Sequence, residues 1–178
     1  WSFEDGFVRN EELQWYQPDN AYCEKGLLII EGRKEKVRNT EYKKDGKSWK
    51  QARKYAFYTS SSLKTAGKKE FLYGRIEVRA KIPVGGGAWP AIWTLGNNME
   101  WPSCGEIDIM ERLNFDDFAY QTVHSYYTYT LGIGNNPPQG SVAPIKKDDF
   151  NVYGVDFYPD SLVFHINGKR TFAYPRIE

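Results

Sequence analysis

The chain has 178 residues, with 24 basic and 23 acidic side chains and a formal net charge of +1, so nucleic acid or another polyanion is not the expected partner. A length of this order suits a single domain, residues 1–178, with a substantial core, and no stretch is long and apolar enough to cross a bilayer as a helix. Aromatic residues make up 16% of the chain, including 6 Trp and 13 Tyr, more than such a core needs, and flat aromatic faces suit the C–H edges of sugar rings.

Residues 1–26 read as a lead-in of short strands and turns, carrying Phe3-Glu4-Asp5-Gly6-Phe7 and Leu13-Gln14-Trp15-Tyr16. Taken alone, Glu4-Asp5-Gly6 is a turn signal. The apolar run Leu27-Leu28-Ile29-Ile30, bounded by Gly26 and Gly32, predicts a buried core strand. From Arg33 to Lys54 the chain is crowded with Lys and Arg around an Asp45-Gly46 turn, the pattern of a solvated excursion. Tyr55 to Ser60 predicts another strand, followed by the turn-rich Ser61 to Lys69. Between Phe71 and Ile82 the alternation is regular: Tyr73, Arg75, Glu77, Arg79 and Lys81 share one face, while Gly74, Ile76, Val78, Ala80 and Ile82 share the other. Arg75 then has two readings, a donor to sugar hydroxyls or one rung of a cross-strand ion-pair ladder with Glu77.

Val84-Gly85-Gly86-Gly87 is a flexible connector without the spacing of a phosphate loop. Trp89 and Trp93, four apart, fall on one strand face and serve either as core or as a sugar platform.

Gly105-Glu106-Ile107-Asp108-Ile109-Met110-Glu111 sets three carboxylates among apolar residues, and carboxylates are seldom placed so unless paired or working. On a helix, Glu106 and Asp108 would point nearly opposite ways. On a strand they share a face, with Ile107 on the other. Glu111, an odd number of residues from Glu106, would then turn inward, unless a β-bulge at Ile109-Met110 adds one residue and returns it to the carboxylate face. The bland alternative is a solvated acidic edge strand. Three acids in one row suit retaining glycoside hydrolysis, which needs a nucleophile and a general acid about 5–5.5 Å apart, with the middle Asp sharing a proton and tuning the pair.

Leu113 to Phe118 reads as a loop, and Ala119 to Tyr127 as a strand with Thr122, His124 and Tyr126 on one face. His124 has no second His or Cys at ligand spacing, which argues against a catalytic metal. A Gly- and Pro-rich loop over 127–147 precedes three strands, Asn151 to Tyr158, Ser161 to Ile166 and Lys169 to Tyr174, the last two joined by an Asn167-Gly168 type I′ turn. Cys23 and Cys104 are expected as free or buried thiols.

Glu106-Ile107-Asp108-Ile109-Met110-Glu111, together with Tyr73-Gly74-Arg75-Ile76-Glu77-Val78, Gly87-Ala88-Trp89-Pro90-Ala91-Ile92-Trp93 and Thr122-Val123-His124 in that order, resembles glycoside hydrolase family 16 in its bulged, laminarinase-like form. The resemblance implies an all-β fold, a two-sheet β-sandwich (jelly roll) with a concave substrate cleft. It implies an endo-acting, retaining hydrolase of β-linked glycans, with Glu106 as nucleophile, Glu111 as acid/base and Asp108 between them. It places Trp101 beneath the reacting sugar and His124 beside the acids, and it tips Trp89 or Trp93 toward substrate. Asn20 is matched to a residue at the non-reducing end of the cleft, and Tyr126, on the strand face of His124, is a further candidate for substrate contact. Glu4 and Gly6 become candidates for a structural calcium; catalysis itself needs no cofactor. The implied partner is a polysaccharide, laminarin-type β-1,3-glucan or mixed-linkage glucan, handled by an exported monomer; the alternative is an endo-β-galactosidase acting on poly-N-acetyllactosamine of mucin-type O-glycans. Relatives continue past the position of Glu178 with further strands, so the chain is expected to lack its C-terminal strands. Two readings of another class are a silent carbohydrate-binding sandwich, which has no reason to keep all three acids, and a lectin-like sandwich in which the acids hold calcium; the intact set of Glu106, Asp108 and Glu111 favours the hydrolase.

Overall fold

The computed structural model describes residues 1–177. These form two compact units, Trp1–Glu70 and the remainder from Phe71.

The first unit is built of short strands: β1 (Ser2–Phe3), β2 (Gln14–Tyr16), β3 (Ala21–Glu24), β4 (Leu27–Ile30), β5 (Val37–Arg38), β6 (Tyr55–Ala56), β7 (Tyr58–Ser60) and β8 (Leu63–Lys64). They pair two by two, β1 with β8, β2 with β7, β3 with β4, and β5 with β6. A small core of Phe7, Trp15 and Ala56 holds the unit, with Val37 and Trp49 packed against it. Phe7 meets the edge of Trp15 at 5.5 Å between centroids. Gly6 suits that position because its φ is +86°, a backbone conformation that L side chains rarely adopt. The charged excursion is solvated as its composition predicts, apart from Asn39, whose buried amide donates to the carbonyls of Lys50 and Arg53.

One expectation fails in this unit. Leu27–Ile30 is a strand, but not a core strand: Leu27, Leu28 and Ile30 are 44%, 53% and 50% exposed. The chain reverses at Lys25 and Gly26, both with positive φ, and pairs β4 with β3 alone. A two-stranded hairpin has no second layer of its own to cover either face. An apolar run between glycines reads alike for a hairpin arm and a central strand.

The second unit carries two four-stranded antiparallel sheets. The strands are β9 (Gly74–Ala80), β10 (Ala91–Leu95), β11 (Glu106–Glu111), β12 (Phe118–His124), β13 (Gly140–Pro144), β14 (Asn151–Phe157), β15 (Ser161–Ile166) and β16 (Lys169–Pro175). One sheet runs β10-β11-β12-β13, the other β16-β15-β14-β9. Ile109, Met110, Ala119, Val123 and Ala143 from the first share one buried cluster with Tyr153, Val155, Phe164, Ile166 and Tyr174 from the second. Two inner faces meeting over one apolar cluster make a β-sandwich, in agreement with the period-2 pattern. Asn167 and Gly168 both have positive φ, as a type I′ hairpin requires.

One buried cation organises the loops beside the first sheet. Arg112 is only 1% exposed, its Nε donates to the Asp116 carbonyl at 2.7 Å, and its Nη1 donates to the Ile82 carbonyl at 3.1 Å. Its amide N–H bonds the Pro90 carbonyl, while Asn114 accepts from Gly85 N and Gly87 N and donates to the Ala88 carbonyl. A guanidinium is costly to bury without acceptors. Here the acceptors are the backbone of the segments that enter and leave the central strands.

Candidate active site

The site begins with a miscount in the central strand. Against β10, Ile92 faces Met110 while its neighbour Trp93 faces Asp108, so Ile109 has no opposite number. Against β12, Asp108 faces Thr122 and Glu111 faces Tyr120, three residues on one strand spanning two on the other. Both neighbours therefore register one extra residue at Ile109-Met110, the expected bulge. Its consequence is visible in burial. Ile109 and Met110 are 1% and 0% exposed and lie in the core, whereas Glu106, Asp108 and Glu111 are in ladder register with His124, Thr122 and Tyr120 on the opposite face.

Each glutamate is gripped by an indole. Trp101 Nε1 donates to Glu106 Oε2 at 2.6 Å, and Trp89 Nε1 donates to Glu111 Oε1 at 2.7 Å. Asp108 lies between them, 3% exposed, with its Oδ2 3.3 Å from His124 Nε2. The hydrogen bond to Asp108 is the main cause that raises the His124 pKa, outweighing burial, and the charges of Glu106 and Glu111 add to it. Glu111 is also raised. Burial is the largest cause and the Asp108 charge the next, both stronger than the opposing Trp89 hydrogen bond. The row thus holds, in Glu111, a carboxyl whose pKa is raised by its surroundings although it accepts an indole N–H, the bias that a general acid requires.

The structure brings some of the expected residues together and not others. Trp93, opposite Asp108, joins the acid face. Tyr126 does not extend β12, which ends at His124. Ser125 caps a helical turn over Tyr126–Thr130, its side chain accepting from Thr128 N while Thr128 Oγ1 accepts from Ser125 N, and Tyr126 stands half exposed on that turn. Arg75 is not at the acids. It lies on β9, in the other sheet, and makes a two-pronged ion pair with Asp156 at 2.5 and 2.8 Å. Of its two readings the ion pair is the one present, although the principal partner is Asp156, with Glu77 at 3.8 Å. That pairing holds the Asp156 carboxyl below its ordinary pKa.

Asn20 is fully buried, and its amide donates to the Glu31 carbonyl and to Thr59 Oγ1, both at 2.9 Å. It ties strands together and presents nothing to a ligand. Glu4 and Gly6 do not fit a calcium as arranged. The Glu4 carboxylate is committed to Arg9, to Ser62 Oγ at 2.7 Å and to Lys64 at 3.8 Å, and Gly6 is tied into a backbone bridge with Tyr16. Hard cations need free oxygens.

Three neighbours of the acids were not singled out in the sequence. Leu95 faces Glu106, half exposed. Tyr120 faces Glu111 and donates to Asp116 Oδ2 at 3.1 Å. Tyr120 was accessible in principle, since it is in phase with Thr122 and His124. Tyr129 packs on Trp101 with ring centroids 4.4 Å apart, and it was hidden by the expectation that the strand continues. Past β12, a groove lined by Tyr120, Thr122 and Gly140 together with Asn135, Pro138 and Gln139 continues from the acid face.

Residues 20–178 match the model of glycosyl hydrolases family 16. A β-glucanase of Rhodothermus marinus is 36% identical over 177 residues, 93% of this chain and 55% of that protein. A solved structure from a study of endo-acting O-glycanases that initiate mucin breakdown in human gut bacteria superposes with a TM-score of 0.85 at 35% identity, over 98% of this chain and 64% of that one. The laminarinase catalytic domain of Thermotoga maritima superposes with a TM-score of 0.81 at 33% identity, over 98% of this chain and 70% of that one. The chain therefore spans little more than half the length of the curated β-glucanase it matches.

Proposed function

The chain belongs to glycosyl hydrolases family 16, and we propose on that premise that it is an endo-acting, retaining hydrolase of β-linked glycans, with laminarin-type β-1,3-glucan or mixed-linkage glucan as substrate. The observation that carries this reading is the bulge, which puts Glu106, Asp108 and Glu111 on one face with an indole N–H on each glutamate. Glu106 attacks the anomeric carbon as Glu111 gives its proton to the departing glycosidic oxygen, leaving a glycosyl ester on Glu106. Glu111, now ionised, takes a proton from water, which attacks the same carbon and releases Glu106. Two inversions restore the starting configuration. Glu111 is given the acid role because burial and the Asp108 charge both raise its pKa. Carboxylates perform both steps, so no cofactor enters the proposal.

A second substrate reading is favoured by a specific likeness. The superposition on the structure from the mucin O-glycanase study, at 0.85, is as good as that on the laminarinase domain, at 0.81, and it supports as the second reading an endo-β-galactosidase whose substrate we take to be poly-N-acetyllactosamine of mucin-type O-glycans. Product analysis on laminarin, a mixed-linkage glucan and mucin O-glycans decides between the two: the expected products are internal-cleavage oligosaccharides from one class. Binding without cleavage of any of them would make the chain a silent carbohydrate-binding sandwich. No helix among the described residues is long and apolar enough to cross a membrane. The proposal includes an exported monomer, since polymers of this size reach an enzyme outside the cell.

Asp108→Asn tests the tuning role. The Asp108 charge helps to raise the Glu111 pKa, and the hydrogen bond to Asp108 is the main cause that raises the His124 pKa. Removing the charge lowers the Glu111 pKa, so the alkaline limb of the kcat/KM profile is expected to move to lower pH, with a rate loss of about 10-fold or more. An unchanged profile would mean that Asp108 has no part in the coupled set.

Trp101→Ala tests the platform. Trp101 is 44% exposed, so its loss is expected to leave Tm nearly unchanged, whereas truncating the buried Trp15, 6% exposed, is expected to cost about 3–5 kcal/mol. Its kcat should fall more than its substrate affinity, because the indole holds both Glu106 and the distorted sugar. Native kcat in a folded Trp101→Ala variant would remove the platform from the proposal.

A further inference from the structure

Trp101 is held from two sides, and only one of them belongs to the row of acids. Its backbone lies in a tight segment, with Cys104 N on the Glu100 carbonyl at 3.0 Å, Gly105 N on the Pro102 carbonyl at 3.1 Å, and Gly96 N on the Gly105 carbonyl at 3.0 Å. The backbone is therefore fixed, but a half-exposed indole on a loop keeps two side-chain torsions to settle. One grip is the N–H on Glu106. The other is the Tyr129 ring, 4.4 Å away between centroids and tilted by 63° in an edge-on contact.

Tyr129 can serve as a stop because the turn that carries it is rigid. Thr128 is 4% exposed and its hydroxyl donates to the Val123 carbonyl at 3.2 Å, in addition to the reciprocal cap with Ser125. Tyr129 N bonds the Ser125 carbonyl at 2.9 Å, and Leu131 N bonds the Tyr126 carbonyl at 3.0 Å. The turn follows directly on His124, the ladder partner of Glu106. One continuous piece of chain thus delivers His124 to Asp108 and a ring to Trp101.

We propose that Tyr129 is a positioning residue: its ring fixes the plane of the Trp101 indole so that the indole N–H stays on Glu106 and the indole face stays open to the sugar. The contact uses the ring edge, so phenylalanine suffices at this position and alanine does not. Without the ring, the indole samples orientations that leave Glu106 short of a donor, and a smaller fraction of molecules is poised to react. The inference rests on the reading of Glu106 as the nucleophile.

Two measurements test it. In protein labelled with 5-fluorotryptophan, the Trp101 fluorine resonance is assigned by its loss in Trp101→Phe. Tyr129→Ala is expected to shift or broaden that resonance and to leave those of the other tryptophans, of 6 in all, unchanged; Tyr129→Phe is expected to restore it. This readout needs no turnover, so an inactive protein would defeat the proposed function and leave the inference standing, while an unmoved resonance would defeat the inference alone. Kinetically, Tyr129→Ala is expected to lower kcat roughly 2- to 10-fold, the range an aromatic pair contributes, with KM nearly unchanged and Tyr129→Phe near wild type. In a Trp101→Ala background the further change Tyr129→Ala is expected to have no effect, because there is no indole left to hold. A full loss persisting in that background would show that Tyr129 acts on the sugar or the fold directly, and would overturn the proposal.

Discussion

Glu106→Gln is expected to lower kcat on the preferred glycan by roughly 1000-fold or more, since loss of a covalent nucleophile leaves only binding and charge stabilisation. The substitution is nearly isosteric, and its amide oxygen can still accept from Trp101 Nε1, the partner that Glu106 holds at 2.6 Å. The aromatic side chains around it are untouched. Substrate binding by calorimetry and Tm should therefore stay close to wild type. Activity within tenfold of wild type in a pure preparation would place the nucleophile elsewhere. A variant that neither cleaves nor binds would indicate that the carboxylate shapes the site rather than attacking.

The residues that this prediction uses were legible in the sequence because local pattern and chemistry agree there. Alternation sets Glu106 and Asp108 on one face, and the odd spacing of Glu111 demands an extra residue, which both ladders contain at Ile109-Met110. What the pattern cannot carry is the number and identity of neighbours. Leu27–Ile30 has the composition of a core strand and becomes an exposed hairpin arm, since a two-stranded ladder is decided by tertiary pairing. Arg75 alternates correctly, yet its partner is set by β14, 81 residues away in sequence. Tyr126 and Tyr129 were obscured by a different contest, in which the Ser125 and Thr128 side chains offered the backbone a turn in place of another pair of strand residues. Asn20 shows the remaining limit. A buried amide satisfied by backbone and an exposed amide awaiting a sugar are the same letter in a sequence.

Glu111 should separate the two half-reactions. On the natural glycan, whose leaving group is a poor one, Glu111→Ala is expected to lose about 10²–10⁴-fold in kcat/KM, the usual contribution of a placed acid. On an aryl glycoside with a good leaving group the first step no longer needs that proton, so the loss in kcat/KM should be far smaller and the glycosyl ester should accumulate. Azide, which attacks without a general base, is then expected to restore turnover and give a glycosyl azide of retained configuration; an inverted azide product would exchange the roles of the two glutamates. The pH dependence gives an independent check. Burial and the Asp108 charge raise the Glu111 pKa, and the reaction needs this group protonated, so wild-type activity should be present below that raised pKa and be lost as pH rises through it. That limb should be missing in Glu111→Ala. Stability runs in the same sense. The folded state holds the proton more tightly than the unfolded chain, so wild type loses stability as pH rises from the ordinary glutamate pKa to the raised one. A Glu111→Gln variant escapes that loss, and above this window its Tm should match or exceed that of wild type. A lower Tm for Glu111→Gln at neutral pH would mean that the ionised carboxylate is stabilised in place, contrary to its role as the acid.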